Sequence, residues 1–209
     1  IAAIVPLALG LGAATAMYSV LEGLLLRPPA FTQPDRLVAI WATEQGWRNE
    51  PSLSFRWDRV VIGHGDVEAL TERSRTLSGV AAWSQSNGML ADAAGSYALA
   101  NEPLVSSALF DLLGVHAYLG RTFRAGEDVL NGPAIALLGY ETWQRSFAAD
   151  RSIVGRSIDY DGKRLTVVGV MPPGVVLDRA MGVVAVWVPA SQGKGDIPAN
   201  HNRSYRGLG

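Results

Sequence analysis

The first 21 residues, Ile1 to Leu21, carry no charged side chain, and that run conditions everything the chain can fold into. As a helix rising ~1.5 Å per residue, the run spans about 32 Å, matching the roughly 30 Å hydrocarbon core of a bilayer. Residues 1–26 hold 19 hydrophobic residues and one charge, Glu22. Past residue 26 the charges balance, 18 basic against 18 acidic once Glu22 is set aside. That balance excludes a basic nucleic-acid surface or an acidic disordered tail as the main theme. The absence of cysteine excludes a disulfide scaffold, a Cys-ligated zinc site and a thiol nucleophile. The composition thus describes an apolar anchor followed by an ordinary domain.

The run predicts a transmembrane helix over residues 1–27, entered in mid-run because the chain opens without an initiator Met or a basic flank. Three other readings fit parts of it. Ala14-Thr15-Ala16 has the form of a signal-peptidase site, although apolar residues continue to Leu26 and no basic leader precedes it. Gly10-Leu11-Gly12-Ala13-Ala14-Thr15 resembles a dinucleotide loop lacking its third glycine. A helix buried in a large soluble core is the third, though such helices usually run shorter. Within a span, the pairs Gly10/Ala14 and Gly12/Ala16 would let a neighbouring helix approach closely; small residues are also simply common in an Ala-rich span. Glu22 and Arg27 mark the water interface, and Pro28-Pro29 ends the helix because a residue before proline avoids helical geometry. The candidate site residues are therefore a helix-packing set, Gly10, Gly12, Ala14 and Ala16, and a membrane-exit joint, Glu22, Arg27, Pro28 and Pro29.

After a linker over residues 28–36, the pattern predicts short strands mixed with short helices over residues 37–209. Leu37–Trp41 reads as an apolar strand, and Asp66 as the N-cap of a helix to about Arg75 with Val67, Leu70, Ser74 and Leu77 on one face. Strands are expected from Gly79 to Gln85 and from Tyr97 to Leu104. Ser107 should cap a short helix, Ala108 to Leu113, stopped by Gly114 as a left-handed cap. Asn131-Gly132-Pro133 turns into a strand at Ala134–Leu138, and Tyr140–Phe147 reads as a helix with Tyr140, Trp143 and Phe147 on one side. Asp161-Gly162, between strand candidates at Arg156 to Tyr160 and Lys163 to Val170, is a two-residue hairpin signal. Val183–Val188 should be the last strand before a polar tail. Without regular βαβ spacing, the class is α+β.

Catalytic templates find little to hold. The glycine required five residues before Gly193-Lys194 is Val188, so there is no phosphate-cradling loop. Ser157-x-Asp159-x-Asp161-Gly162 begins like a calcium loop but reaches Val168 where the closing Glu should stand. His64, His116 and His201 lack metal-ligand spacing. Glu127-Asp128 reads as a solvated turn rather than an acid/base pair, and the six tryptophans as core rather than a ligand pocket. No cofactor is expected.

Read in order, the residues resemble the periplasmic core domain of MacB-like and FtsX-like ABC transporter permeases, in particular the large acidobacterial-type proteins. The carriers are Leu7 to Ala16 running into Leu24-Leu25-Leu26-Arg27-Pro28, then Asp35 to Trp41, Leu77 to Trp83, Phe110 to Val115 and Leu119 to Phe123. The most specific stretch runs from Trp143-Gln144-Arg145 through Ile153-Val154-Gly155-Arg156 to Val167 to Gly174, with Val186-Trp187-Val188-Pro189 closing. Residues 53–65 match loosely, and the family pattern continues beyond Gly209. The resemblance implies a non-enzymatic permease fragment in the bacterial inner membrane, with residues after 27 in the periplasm. The implied fold is one membrane helix leading into a mixed α/β domain of two subdomains, incomplete at its C-terminus. The implied partners are an ABC ATPase subunit, a second permease copy or homologue, a periplasmic adaptor protein and membrane lipid, and no nucleic acid. The alternative is an exported soluble or anchored domain with a cleaved signal, acting as a binding module or an enzyme.

Overall fold

The computed structural model describes residues 31, 34–62, 64–129, 131–177, 182–190 and 206–209, together with Gly12, Thr15, Met17 and Tyr18. Two compact units divide the chain, Ile1–Ala30 and Phe31–Gly209. In the first unit the four described residues are helical and exposed. Among the described residues no helix is long and apolar enough to cross a membrane, and the expected span over residues 1–27 lies almost wholly outside them.

Among the described residues, the second unit holds nine strands: β1 (Ala39–Ile40), β2 (Ala81–Ala91), β3 (Tyr97–Val105), β4 (Leu119–Gly120), β5 (Ile135–Leu138), β6 (Ser157–Tyr160), β7 (Lys163–Val170), β8 (Val186–Pro189) and β9 (Arg206–Leu208). The helices are α1 (His64–Arg73), α2 (Leu109–Leu113) and α3 (Tyr140–Ser146). The strands follow the order β1-β9-β2-β3-β8-β5-β7-β4, and β6 pairs with both β7 and β2. The path β2-β3-β8-β5-β7-β6 therefore returns to β2 and closes a ring. Parallel pairing occurs at β3–β8 and β5–β7, and antiparallel pairing elsewhere.

The ring explains two hydrophobic cores. All six ring strands turn apolar residues to one shared cluster, including Leu90, Leu104, Leu138, Ile158, Val167 and Val186, to which α3 adds Trp143 and its C-cap adds Phe147. The opposite faces of β2, β3, β5 and β8 supply Trp83, Val105, Leu137 and Trp187 to a second cluster, which α2 covers with Leu109, Phe110 and Leu113. Strands β5 and β8 are thus buried on both faces, and their sequences, Ile-Ala-Leu-Leu and Val-Trp-Val-Pro, show no alternation. A smaller core, Ile62, Val67, Val80, Ala82 and Ala190, seats α1.

Several local expectations hold. Gly114 ends α2 at φ 64° and ψ 29°, its N–H donating to Asp111 and Phe110 carbonyls. Asp161 (φ 52°) and Gly162 (φ 72°) make the β6–β7 turn with both residues left-handed, the geometry that matches strand twist. Other boundaries are corrected. Asp66 lies inside the first turn of α1, which begins at His64. Ser107 caps nothing: the cap position is Ala108, which makes no side-chain bond, while the Ser107 N–H donates to Asp128 Oδ2 at 2.8 Å. Strand β1 pairs over two residues rather than five and leaves the flanking Val38 and Trp41 partly exposed, because it is the sheet edge, paired with β9. Strand β2 starts two residues later than expected and continues to Ala91 through Ser84-Gln85-Ser86-Asn87-Gly88, a stretch of weak strand formers kept extended by β3 pairing along its length. The final strand is β9, not the Val183–Val188 segment; it slots between β1 and β2, with Gly207 packed too closely against Ile40 and Ile62 to admit a Cβ.

Candidate functional site

Of the helix-packing set, Gly12 alone is among the described residues; it is helical, with open space where a Cβ would stand. Gly10, Ala14 and Ala16, and the joint residues Glu22, Arg27, Pro28 and Pro29, lie outside the described residues.

Within the domain, the acidic residues singled out from sequence have structural roles. Glu127 takes a bidentate ion pair from Arg121, at 2.7 and 2.8 Å, and accepts the Arg124 N–H at 2.8 Å. The Arg121 hydrogen bond, more than any other influence, holds the Glu127 carboxyl below its ordinary range. Neither Glu127 nor its neighbour Asp128, which anchors Ser107, is fully exposed; the expected solvated turn is a tie between the loop after β4 and the start of α2. Of the aspartates in the calcium-like pattern, Asp159 serves the hairpin, its Oδ1 accepting the Gly162 N–H at 3.0 Å, and Asp161 accepts the Met89 N–H of β2. Among the described residues no group of three or more His, Asp or Glu is placed to hold a metal ion.

The tryptophans split into two populations. Trp83, Trp143 and Trp187 are core, as expected. Trp47 and Trp57 are only half-buried and carry arginines instead: the Arg48 guanidinium lies 5.2 Å from the Trp57 ring centre, and that of Arg56 lies 5.8 Å from Trp47. These crossed pairs sit on a loop closed by backbone bonds between Ala42 and Val60 and from Glu44 to Trp57. Trp41, at the base of that loop, is 39% exposed.

The most unusual polar arrangement lies inside the ring. Glu102, 4% exposed on β3, accepts a hydrogen bond from the Tyr160 hydroxyl of β6 at 3.0 Å. Burial first, and then the Glu102 charge, push the Tyr160 phenol far above its usual range, so it remains a donor. The Tyr160 side chain reaches Glu102 by crossing β2 at Gly88, where any Cβ would collide with it. Beside it, Met89 and Asp161 exchange two bonds: the Met89 N–H donates to Asp161 Oδ1 at 2.8 Å, and the Asp161 N–H to the Met89 carbonyl at 2.9 Å. Sequence reading missed this cluster because its members are 58 residues apart. The available signals were a glutamate in the middle of β3 and a glycine in the middle of β2.

On the outer face of the β2–β3 hairpin, Met89 and Leu99 are cross-strand partners, 40% and 76% exposed, with Tyr97 nearby on β3 at 53%. Tyr97 faces the Asp159 carboxylate, whose charge raises the phenol pKa.

The sequence matches the model of the MacB-like periplasmic core domain over residues 1–206. Among solved structures, the periplasmic region of MacB from Actinobacillus actinomycetemcomitans is similar at 16% identity and a TM-score of 0.59, covering 82% of this chain and 72% of that one. The extracellular domain of the noncanonic ABC-type transporter YknZ from Gram-positive bacteria is similar at 14% identity and a TM-score of 0.60, covering 82% of this chain and 81% of that one. At such identities the likeness is one of fold. No curated protein matches the sequence.

Proposed function

We propose a function from one premise: this chain belongs to the MacB-like periplasmic core domain family, whose members are non-enzymatic components of ABC transporter permeases. On our reading, residues 1–27 are a membrane helix in the bacterial inner membrane, residues 28–36 a linker, and residues 37–209 a periplasmic domain. The domain passes on motion driven by an ABC ATPase subunit, in concert with a second permease copy or homologue and a periplasmic adaptor protein. The observation that carries the reading is the family match over residues 1–206, which takes in the uncharged run and the domain together. A dry span needs every backbone polar group satisfied internally, which a helix over residues 1–26 would achieve.

The absence of native cysteine makes the test direct. Gln144 is exposed on α3, and a Gln144→Cys variant expressed in bacteria should stay in the membrane pellet through alkaline carbonate washing. It should also react, in intact inner membranes, with a maleimide that cannot cross them. Release by carbonate, or labelling only after the inner membrane is broken, would overturn the reading. A mature protein beginning near Met17 would favour the exported domain with a cleaved signal instead.

A further inference from the structure

The ring of strands is unevenly closed. β2 and β3 are in register from Trp83 opposite Val105 to Ala91 opposite Tyr97, and β6 and β7 from Ser157 opposite Thr166 to Tyr160 opposite Lys163. At β2–β6 the strands are in register at a single position, Leu90 opposite Tyr160. Side chains, with one backbone bond at Asp161, supply the rest of the closure. Tyr160 reaches across Gly88 to Glu102, and Asp161 clasps both backbone groups of Met89. Tyr97 faces Asp159 across the same seam. One further backbone bond, from the Ala93 N–H to the Ser146 carbonyl at 3.1 Å, ties the β2–β3 turn to α3.

Backbone ladders resist separation by many bonds acting together, whereas a seam with one paired position yields when a few side-chain bonds break. The pieces on either side are self-consistent without the seam: the β2–β3 hairpin carries its own long register, and β5, β7 and β6 hold one another. The residues that guard the seam are also unlike their surroundings. A buried carboxylate is costly unless well bonded, and Glu102 lies between the apolar Ala100 and Leu104 on the core-facing side of β3. Gly88 weakens the middle of β2 but is what allows Tyr160 to lie there.

We propose that the β2–β6 seam is a latch: the ring opens there as a separate step below global unfolding, and the Tyr160–Glu102 bond holds it shut. The opening is a property of the fold alone. Its use, to let the domain change shape as force passes through it, rests on the permease reading above.

Native-state hydrogen exchange on the 209-residue chain in nanodiscs tests the latch. The reporters are the Met89 and Asp161 amides, and the references are Thr166 and Val167, whose N–H groups donate to Ala134 and Arg156. In the wild-type chain at low denaturant, the reporters should exchange through an opening that exposes little surface, while the references wait for global unfolding. Tyr160→Phe should speed the reporters by about tenfold or more relative to the references, the loss expected for a hydrogen bond to a carboxylate. Gly88→Ala, whose methyl would collide with the Tyr160 phenol and displace it, should do the same. Reporters that merge with the references in the wild type, or variants that speed all four amides by one factor, would dismiss the latch. Transport by a permease carrying Tyr160→Phe reports separately on the mechanical reading: unchanged transport with a selectively loosened seam would leave the latch standing and remove its proposed use.

Discussion

Glu127 shows how far a residue can be read from its neighbours alone. Beside Asp128 and after Gly126 it has the composition of a solvated turn, but Arg121 folds back to grip both carboxylate oxygens, and the side chain is only 17% exposed. Charge-assisted bidentate bonds of this kind are the strong ones, and Glu127→Gln should cost about 1–2 kcal/mol in urea unfolding at neutral pH. The sign with pH follows from the lowered folded-state pKa. An unfolded-state carboxyl near 4.5 binds protons before the folded one does, so the pair stabilises the protein above that pH and loses its contribution as pH falls through the lower, folded value. The gap between wild type and Glu127→Gln should therefore be full above about pH 4.5 and close as pH falls below it. A gap that is constant with pH would mean the ion pair contributes nothing. The Tyr160–Glu102 bond was not legible for a different reason: its two partners meet only because a third residue, Gly88, has no side chain.

At the scale of elements, legibility follows how local the cause is. The Asp161-Gly162 hairpin was readable because two left-handed residues in sequence dictate the turn wherever the strands go. Gly162→Ala should destabilise by about 1 kcal/mol, since an alanine is strained at positive φ. Gly79→Ala is the control: its φ is ordinary and its new methyl would meet Leu112 Cδ1 at 3.5 Å, a normal contact. Gly162 has open space where a Cβ would stand, so equal costs for the two in chemical denaturation would show that its left-handed backbone adds no penalty. The caps at Asp66 and Ser107 were misplaced because a polar residue near a helix start satisfies the pattern whether or not its side chain turns back to the helix. β9 was missed because Arg-Gly-Leu carries no alternation; it is a strand by virtue of the gap between β1 and β2 that it fills.

At the scale of the whole molecule, the proposed mechanics concentrate on the passage from span to domain. Pro28 and Pro29 fix φ at two consecutive positions, so a displaced helix would move the domain through a short, stiff joint. Replacing both with glycine in the full-length permease should leave membrane level and partner ATPase rate unchanged while weakening transport, because a flexible linker dissipates displacement. Normal transport at equal expression would remove the stiff joint and leave the family assignment intact. A merely anchored domain should be indifferent to the change.

The sequence by itself determined the division of the chain into an uncharged run and a charge-balanced α+β domain, the tight turns, and the family, because each follows from composition or from residues in a fixed order. Tertiary structure alone decided that the sheet closes into a ring and that β5 and β8 are buried on both sides. It also decided that a glutamate belongs inside. Ring closure depends on which edges meet, and β6 meets β2 at one position, Leu90 opposite Tyr160. Those residues are 70 apart in the chain, and no local periodicity records the encounter. A buried charge is tolerable only beside a donor that the folded chain has already brought to it.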